Sequence, residues 1–263
     1  MSSTTGREEN LSQNTLVKTL PSQTRLSFNL RNIDELFLGF ETGDFAVLHG
    51  TAAVLPLSLL LCVKAQLPPQ LGGLGTDVVF IDGGNTFRLY RISRIAQVHQ
   101  LNPRSVLERI HIARAFTAYQ MTSLIMGKME EDVKRLRAKL IVISDVAGLF
   151  MDKDVPDEEA RRVFSQVTAY LSNFAQKHDS ALIVTYLPRK TSRRNLHLQA
   201  LTCGRANVVA SVRNGKHGRE FVLEKHPHGI LGYAEFPSEN LTLKEFMGSE
   251  QRWVKPWNRT GWR

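Results

Sequence analysis

The chain has 263 residues, of which 42% are hydrophobic and 22% charged, and its formal net charge is +9. This length suits one large domain or two small ones with a sizeable core, and the apolar fraction excludes a wholly disordered chain. The longest apolar run, Val54 to Val63, is interrupted by Pro56 and Ser58, so no membrane span is predicted and no membrane partner is expected.

Two further features of the sequence indicate in which cellular compartment the protein lies. Residues 1–14 are polar and lack the apolar core of a secretion signal. The two cysteines, Cys62 and Cys203, lie in unrelated contexts and form neither a zinc pair nor a disulfide framework. We therefore expect a cytoplasmic protein in a reducing environment.

The positive charge is concentrated in the last quarter of the chain. From Arg189 to Arg263 there are 14 Lys and Arg residues against 6 Asp and Glu, whereas the preceding residues hold 20 against 19. Such a field favours a polyanionic partner, and nucleic acid is favoured over a membrane because no amphipathic anchor accompanies the charge. Composition divides the chain into a flexible polar arm at 1–24, a core domain at 25–238 and a basic, Trp-rich tail at 239–263.

Short apolar runs typical of buried strands alternate along the core with stretches of helical periodicity. Strands are predicted at Phe45–Gly50, Asp77–Asp82, Arg109–Ala113, Leu140–Ser144 and Ala181–Thr185, and helices at Ser58–Ala65, Tyr90–His99, Ala118–Leu136 and Glu158–His178. A hairpin of Asn207–Val212 and Glu220–Glu224 is predicted around Asn214–Gly218. This order predicts an α/β domain, in which a mostly parallel sheet has helices on both faces and an antiparallel hairpin at its C-terminal edge.

The first strand leads through Gly50 into a helix, where a nucleotide-binding P-loop would lie in such a sheet. That loop, G-x-x-x-x-G-K-[ST], needs glycines that let backbone N–H groups bind phosphate, a lysine for the phosphate charge and a hydroxyl for Mg²⁺. Here Leu55, Pro56 and Leu57 stand at the second glycine, the lysine and the hydroxyl. Pro56 also removes an N–H donor, and Ser58 comes one residue too late. We interpret the loop as a vestigial nucleotide site.

Four segments together resemble the RecA/RadA recombinase family. Asn32–Gly43 (NIDELFLGFETG) is similar to the family's LDELLGGGIETG, and Phe80–Arg88 (FIDGGNTFR) is similar to its YIDTEGTFR. Ile112–Phe116 (IARAF) resembles YARAFN, and Leu140–Asp145 (LIVISD) resembles LLIVDS. Because the order and spacing of the segments hold, the resemblance covers most of the chain. It implies a RecA-like P-loop NTPase core and an archaeal RadA-like paralogue.

The same resemblance implies that the catalytic parts are missing and that the ATP site is degenerate. The family's catalytic Glu falls at Gly84, its metal-linked Asp at Ser144, and its γ-phosphate-sensing Gln within Tyr186–Pro188. Phosphoryl transfer depends on positioning and charge stabilisation by these parts, so we expect no ATP hydrolysis, no catalytic residue and no cofactor. Two alternatives stay open: an unrelated α/β domain, or a site that binds ATP without hydrolysing it.

A basic run follows the strand at Ala181–Thr185, where the recombinase family has its principal DNA-binding loop. Its cations are interleaved with hydroxyl and amide side chains and are predicted to contact phosphates: Arg189, Lys190, Arg193 and Arg194. On composition alone, such a run is usually just a solvated loop. The family's other DNA loop falls at Met151–Glu159, which is acidic here and suits a helix N-terminus.

Two more groups are candidates for DNA binding. The hairpin turn carries cations that serve either DNA or solubility: Arg213, Lys216 and Arg219. The tail interleaves cations with tryptophans, as single-strand binders do for base stacking: Arg252, Trp253, Lys255, Trp257 and Arg259. The alternative for the tail is that its tryptophans, four residues apart, dock onto the protein or a partner.

Other chemistry is weaker. No metal site is predicted, because His226 and His228 have no third ligand nearby, and Arg91 and Arg94 are expected on a helix face.

The favoured hypothesis is a non-catalytic paralogue that binds DNA, with single-stranded DNA as the expected form. It would modulate homologous recombination or DNA repair at the nucleoid, with an active RadA-type recombinase as an expected protein partner. The alternatives are a pseudo-ATPase scaffold that binds such a protein without DNA contact, and an ATP-dependent enzyme with a divergent site.

Overall fold

The computed structural model describes residues 25–187, 189–216 and 218–236, and the helices and strands given below lie within these ranges. The predicted arm at 1–24 and the predicted tail at 239–263 lie outside them, so the domain division stays a prediction. Within the described ranges, no helix is long and apolar enough to cross a membrane.

A small ribbon precedes the main sheet. It consists of β1 (Arg25–Leu26) and β2 (Phe40–Glu41), which pair antiparallel, with helix α1 (Arg31–Leu36) between them. Phe28 and Phe37 beside the ribbon are buried and pack with Phe221 of the main sheet, with ring centroids 5.5 and 6.2 Å from it. The ribbon is thereby fastened to the core by aromatic contacts.

The main sheet has eight strands: β3 (Phe45–Gly50), β4 (Val78–Asp82), β5 (Ile110–Arg114), β6 (Leu140–Ser144), β7 (Ala181–Tyr186), β8 (Val208–Asn214), β9 (Arg219–Lys225) and β10 (Gly232–Phe236). Their order is β10-β9-β8-β3-β7-β6-β4-β5. The neighbouring pairs along β8-β3-β7-β6-β4-β5 are all parallel. Strand β9 pairs antiparallel with β8 on one side and with β10 on the other. The predicted mostly parallel sheet with an antiparallel hairpin at its C-terminal edge is confirmed.

Helices cover both faces of this sheet: α2 (Val54–Lys64), α3 (Leu89–Val98), α4 (Pro103–Glu108), α5 (Ala118–Ser123), α6 (Met129–Leu136), α7 (Asp157–Lys177) and α8 (Arg193–Arg205). Buried side chains of α2, α3 and α4 form one apolar cluster with Phe80, and those of α5 to α8 form another with Ile81. Because adjacent residues of β4 enter opposite clusters, the strand is buried on both faces, as its continuous apolar sequence predicts.

The single helix predicted at Ala118–Leu136 is α5 and α6 joined by a π turn at Leu124–Lys128. Buried side chains recur every four residues along it: Met121, Ile125, Met129 and Val133. In a regular α-helix of about 3.6 residues per turn, side chains four residues apart drift steadily around the axis. The wide turn takes up this drift, so all four side chains stay in the core.

Regular structure also forms where none is predicted, at α4, α8 and β10. The side chain of Asn102 accepts the N–H groups of Arg104 and Ser105 at 2.9 and 3.2 Å and so caps α4, with Pro103 as its first residue. This is a common N-terminal helix signal. Helix α2 begins at Val54 rather than at the predicted Ser58, because a proline in the first turn needs no hydrogen bond from its nitrogen.

Candidate functional site

The loop at the predicted nucleotide site follows β3 at the carboxyl edge of the sheet. Gly50 has a φ of 101°, and a Cβ at this position would lie 2.3 Å from the carbonyl oxygen of Val212. The N–H of Thr51 donates to the same oxygen at 2.7 Å. Strand β3 therefore stays paired with β8 up to the turn, and only glycine fits at its end.

The positions of the phosphate-binding residues form the start of α2. The N–H groups of Val54, Leu55 and Leu57 donate to carbonyl oxygens in the preceding turn at 3.2, 3.1 and 3.4 Å. Leu57 is buried in the core, and the hydroxyl of the buried Ser58 donates to the carbonyl oxygen of Leu55 at 2.8 Å. These donors are bound within the chain, and the side chains at the lysine and hydroxyl positions present no polar group to a phosphate.

Gly84, at the position of the family's catalytic Glu, lies in the loop after β4 and faces Asp145. A Cβ added at Gly84 would lie 2.9 Å from the Cβ of Asp145 and 3.0 Å from its carboxylate. This approach is closer than non-bonded carbon atoms tolerate. A glutamate could therefore stand here only if Asp145 moved.

Ser144, at the position of the metal-linked Asp, is fully buried, and its hydroxyl hydrogen-bonds that of Thr86. The N–H groups of Thr86 and Phe87 donate to the buried carboxylate of Asp82 at 2.8 and 3.2 Å, and Arg114 lies 3.5 Å from it. A buried carboxylate is tolerated when donors and a cation surround it in this way. These groups hold the loop between β4 and α3.

Asp145 follows in a left-handed turn with a φ of 51° and is 4% exposed. Its N–H donates to the hydroxyl of Thr185 at 2.9 Å, and its carboxylate binds Nη2 of Arg189. The other carboxylate oxygen of Asp145 and Nε of Arg189 are buried without a hydrogen-bond partner in the described part of the chain. Arg189, predicted to bind DNA, therefore turns inward and neutralises a buried carboxylate.

Only the first part of the basic run after β7 is a loop, because a helix begins within it. The side chain of Ser192 accepts the N–H of Asn195 at 3.1 Å and caps α8, which starts at Arg193. The basic run, expected as a DNA-binding loop, is therefore corrected to a short segment followed by a helix. Lys190 and Arg193 are exposed at this junction, and the described residues contain no ion pair to either of them.

Arg194, by contrast, points back into the protein. Its guanidinium donates to the carbonyl oxygens of Asp152 and Val155 at 2.8 Å and of Phe150 at 3.1 Å, and it pairs with Asp157. Its side chain is only 12% exposed. Because its donors are used in these contacts, Arg194 fastens α8 to the acidic segment before α7 and is not available to a phosphate.

The hairpin turn holds the second predicted cluster. Arg213 pairs with Glu220 through Nε at 2.7 Å, Arg219 is half-buried on β9, and Lys216 is exposed in the turn. Because the Arg213 side chain of this pair is exposed, the pair contributes little and the guanidinium can exchange for another anion. The predicted tail residues lie outside the described residues: Arg252, Trp253, Lys255, Trp257 and Arg259.

The structure contains a polar network beside Gly50 that the sequence did not predict. His49 contacts Glu224 through Nε2 at 2.8 Å, and Ser211 donates to the same carboxylate at 2.5 Å. The bond from His49 holds the pKa of Glu224 below its usual range. These residues lie on the neighbouring strands β3, β8 and β9, so only knowledge of the strand order could have brought them together.

The described residues contain no group of three or more His, Cys, Asp or Glu side chains placed to hold a metal ion. His226 instead accepts the N–H of His228 at 3.1 Å, and its ring packs against Phe37 at a centroid distance of 5.6 Å. These contacts give His226 a structural role within the ribbon's aromatic cluster.

A mostly parallel sheet, a Gly-ended first strand that leads directly into a helix, and an antiparallel C-terminal edge define a RecA-like core. The Rad51 family model matches residues 12–189, well over half of the chain, so the chain belongs to the Rad51 family. Proteins of this family act in DNA recombination and repair, and they generally bind DNA and recombinase partners.

Proposed function

We propose that the protein is a non-catalytic, archaeal RadA-like paralogue that binds single-stranded DNA and modulates homologous recombination or DNA repair. It acts without ATP turnover and without a cofactor, in the cytoplasm at the nucleoid. The observation that carries this proposal is the start of α2, where backbone donors that a P-loop would offer to phosphate are bound within the chain.

Three further features support the loss of ATP chemistry. Leu57 and Ser58 belong to the buried interior, a Cβ at Gly84 would crowd Asp145, and Ser144 is engaged with Thr86. A bound nucleotide would need donors, a cation and a metal ligand at these places. If ATP with Mg²⁺ did bind, a concentration of about 100 Kd would stabilise the fold by about 2.7 kcal/mol. A clear rise in Tm with ATP and Mg²⁺ would therefore contradict this part of the proposal.

Lys190 and Arg193 support the DNA-binding part. Both are exposed at the carboxyl edge of the sheet, and Arg193 lies in the first turn of α8, where unsatisfied backbone N–H groups add positive potential. Arg189 and Arg194 contribute less because they are bound inside the protein. The DNA contacts proposed for this segment are thus made by Lys190 and Arg193 rather than by all four predicted cations.

The test is fluorescence anisotropy with a labelled single-stranded oligonucleotide across a range of salt concentrations. The double variant Lys190→Ala/Arg193→Ala should bind more weakly, with a salt slope smaller by about 1.4, because each phosphate contact to a single strand contributes about 0.7. Lys139→Ala/Lys177→Ala, at the amino edge of the sheet, is the matched control and should bind like the wild type. No binding of the wild type at about 50 mM salt would refute DNA binding.

A second candidate function, binding of an active recombinase without DNA contact, is supported by the far edge of the sheet. In the described residues β5 pairs only with β4, so its outer edge can accept another strand. Ile112 and Phe116 are 45% and 70% exposed there. A cavity of about 270 Å³ adjoins β5, and its lining includes the apolar side chains Val79, Ile81, Ala113, Leu124 and Met129.

This candidate is tested by surface plasmon resonance against a purified active recombinase. Ile112→Glu places a charge on the exposed edge and should abolish that binding, while the affinity for the oligonucleotide stays unchanged. If the wild type binds the recombinase and not the oligonucleotide, the scaffold function replaces the DNA-binding one. Equal recombinase binding by Ile112→Glu would exclude this edge as the interface.

A further inference from the structure

Helix α3 carries exposed aromatic and basic side chains that neither the closed loop nor the segment before α8 explains. One face of the helix is buried through Ile92, Ile95 and Ala96. The opposite face is exposed and is called the α3 stripe: Tyr90, Arg91, Arg94 and Gln97. Because residues three and four apart are neighbours on a helix surface, the stripe is continuous.

Tyr90 is the most unusual member of the stripe. Its side chain is 87% exposed, more than that of any other large hydrophobic residue in the described ranges, and Leu89 beside it is 52% exposed. A tyrosine ring normally buries most of its surface, since burial is its main contribution to stability. The ring here offers a flat apolar surface to solvent, and Arg91 and Arg94 are its exposed neighbours on the same helix.

The charge around the stripe is positive and uncompensated. Helices α2, α3 and α4 contain one acidic residue, Glu108, which pairs with Arg104 at 2.9 Å. Neither Arg91 nor Arg94 has an ion pair among the described residues. A polyanion meets no competing carboxylate on these helices, so both arginines can donate their N–H groups to it.

Helix α3 and the proposed DNA-binding segment both follow strands that end at the carboxyl edge of the sheet. Helix α3 follows the carboxyl end of β4, and Lys190 follows the carboxyl end of β7, with β6 between the two strands. Adjacent strands are about 4.8 Å apart, so these two strand ends are separated by about 10 Å. A single strand that crosses the carboxyl edge of the sheet can therefore contact both places.

We propose that the α3 stripe is a second contact site for single-stranded nucleic acid, at which a base stacks on Tyr90 and phosphates bind Arg91 and Arg94. This inference rests on the proposed DNA-binding function. An acidic peptide would satisfy the arginines but offers no planar ring to Tyr90. A base with its phosphates supplies both, as in sequence-tolerant single-strand binding.

The test compares two labelled oligonucleotides of equal length, one of thymidines and one abasic, which carries the phosphates without bases. Tyr90→Ala should weaken binding of the thymidine strand about tenfold and leave the abasic strand unaffected, because only bases stack. Arg91→Ala/Arg94→Ala should weaken binding of both strands and reduce the salt slope by about 1.4. Tyr119→Ala, another exposed tyrosine on the opposite face of the sheet, is the control and should bind like the wild type.

The outcomes separate this inference from the function on which it rests. If Tyr90→Ala binds thymidine strands like the wild type, or weakens both strands equally, stacking on Tyr90 is refuted while the Lys190 and Arg193 contacts stand. If the wild type binds neither strand at low salt, the DNA-binding function itself fails. Thermal unfolding of each variant serves as the folding check, and these exposed side chains should leave Tm unchanged.

Discussion

The ion pair between Asp145 and Arg189 predicts unequal effects for the loss of its two partners. Arg189→Ala leaves a carboxylate that is 4% exposed without a countercharge. Removing one partner of a buried pair costs about 3–5 kcal/mol, and since the Arg189 side chain is 28% exposed, the low end of that range, about 3 kcal/mol, applies. Asp145→Asn removes the charge that needs neutralising and keeps the backbone bond to Thr185, so it should cost only about 1 kcal/mol.

The same pair predicts the effect of each variant on DNA binding. Asp145→Asn releases the guanidinium of Arg189 at the carboxyl edge, beside Lys190. One additional phosphate contact should then strengthen oligonucleotide binding at low salt and raise the salt slope by about 0.7. Arg189→Ala should leave DNA affinity nearly unchanged when it is measured where the variant is folded, because this arginine is already occupied in the wild type.

The assay combines urea unfolding with anisotropy titrations on the two single variants and on Asp145→Asn/Arg189→Ala. The double variant should be more stable than Arg189→Ala alone, because the second substitution removes the unpaired buried charge. The reasoning is refuted if Arg189→Ala keeps wild-type stability and loses DNA affinity as Lys190→Ala/Arg193→Ala does. That result would mean that Arg189 faces the solvent and binds phosphate directly.

The remaining predictions concern glycine positions and a thiol. Gly84→Glu should destabilise the fold and give no phosphate release from ATP, since its Cβ would lie 2.9 Å from that of Asp145; turnover in this variant would contradict the geometry. Gly50→Ala should lower the free energy of unfolding by more than about 2 kcal/mol, because φ is 101° and the Cβ would meet the carbonyl oxygen of Val212. An unchanged urea midpoint would show that this turn relaxes. Burial raises the pKa of the Cys203 thiol to about 11, so at pH 8 it should react with a thiol reagent on the order of a hundredfold more slowly than free cysteine. Comparable rates would place Cys203 in solvent.

The strands of the sheet could be predicted from sequence because each one is a self-sufficient local pattern. Leu140–Ile143 is a continuous apolar run with three β-branched residues in succession, and the structure buries every residue of β6. The hairpin around Asn214–Gly218 could be predicted for the same reason, because its turn and its two strands are adjacent in the sequence. Strand β10 was not predicted, since its sequence, GYAEF, contains a glycine and a charge and gains its place only by pairing with β9.

The inward orientation of Arg189 could not be predicted, because it depends on which strands are neighbours. Asp145 and Arg189 are 44 positions apart and meet because β6 and β7 pair in parallel with Ile143 opposite Val184. Arg194 likewise contacts a segment about as distant in the chain. The N-cap at Ser192 was missed because the run was interpreted as a DNA-binding loop. A serine before a helical run is nevertheless a signal that the sequence contains.

Net charge per segment is a poor guide to which cations are available, and the α3 stripe shows why. The residues before Arg189 are nearly neutral as a group, yet residues 83–108 contain Arg88, Arg91, Arg94 and Arg104 with Glu108 as the single acid. The balancing carboxylates lie elsewhere, such as the exposed acids at the start of α7. Conversely, two of the cations in the basic run after β7 are bound to carboxylates of the protein itself. What a polyanion can reach is therefore set by burial and pairing: Lys190 and Arg193 on one side of the carboxyl edge, and Arg91 and Arg94 with the Tyr90 ring on the other.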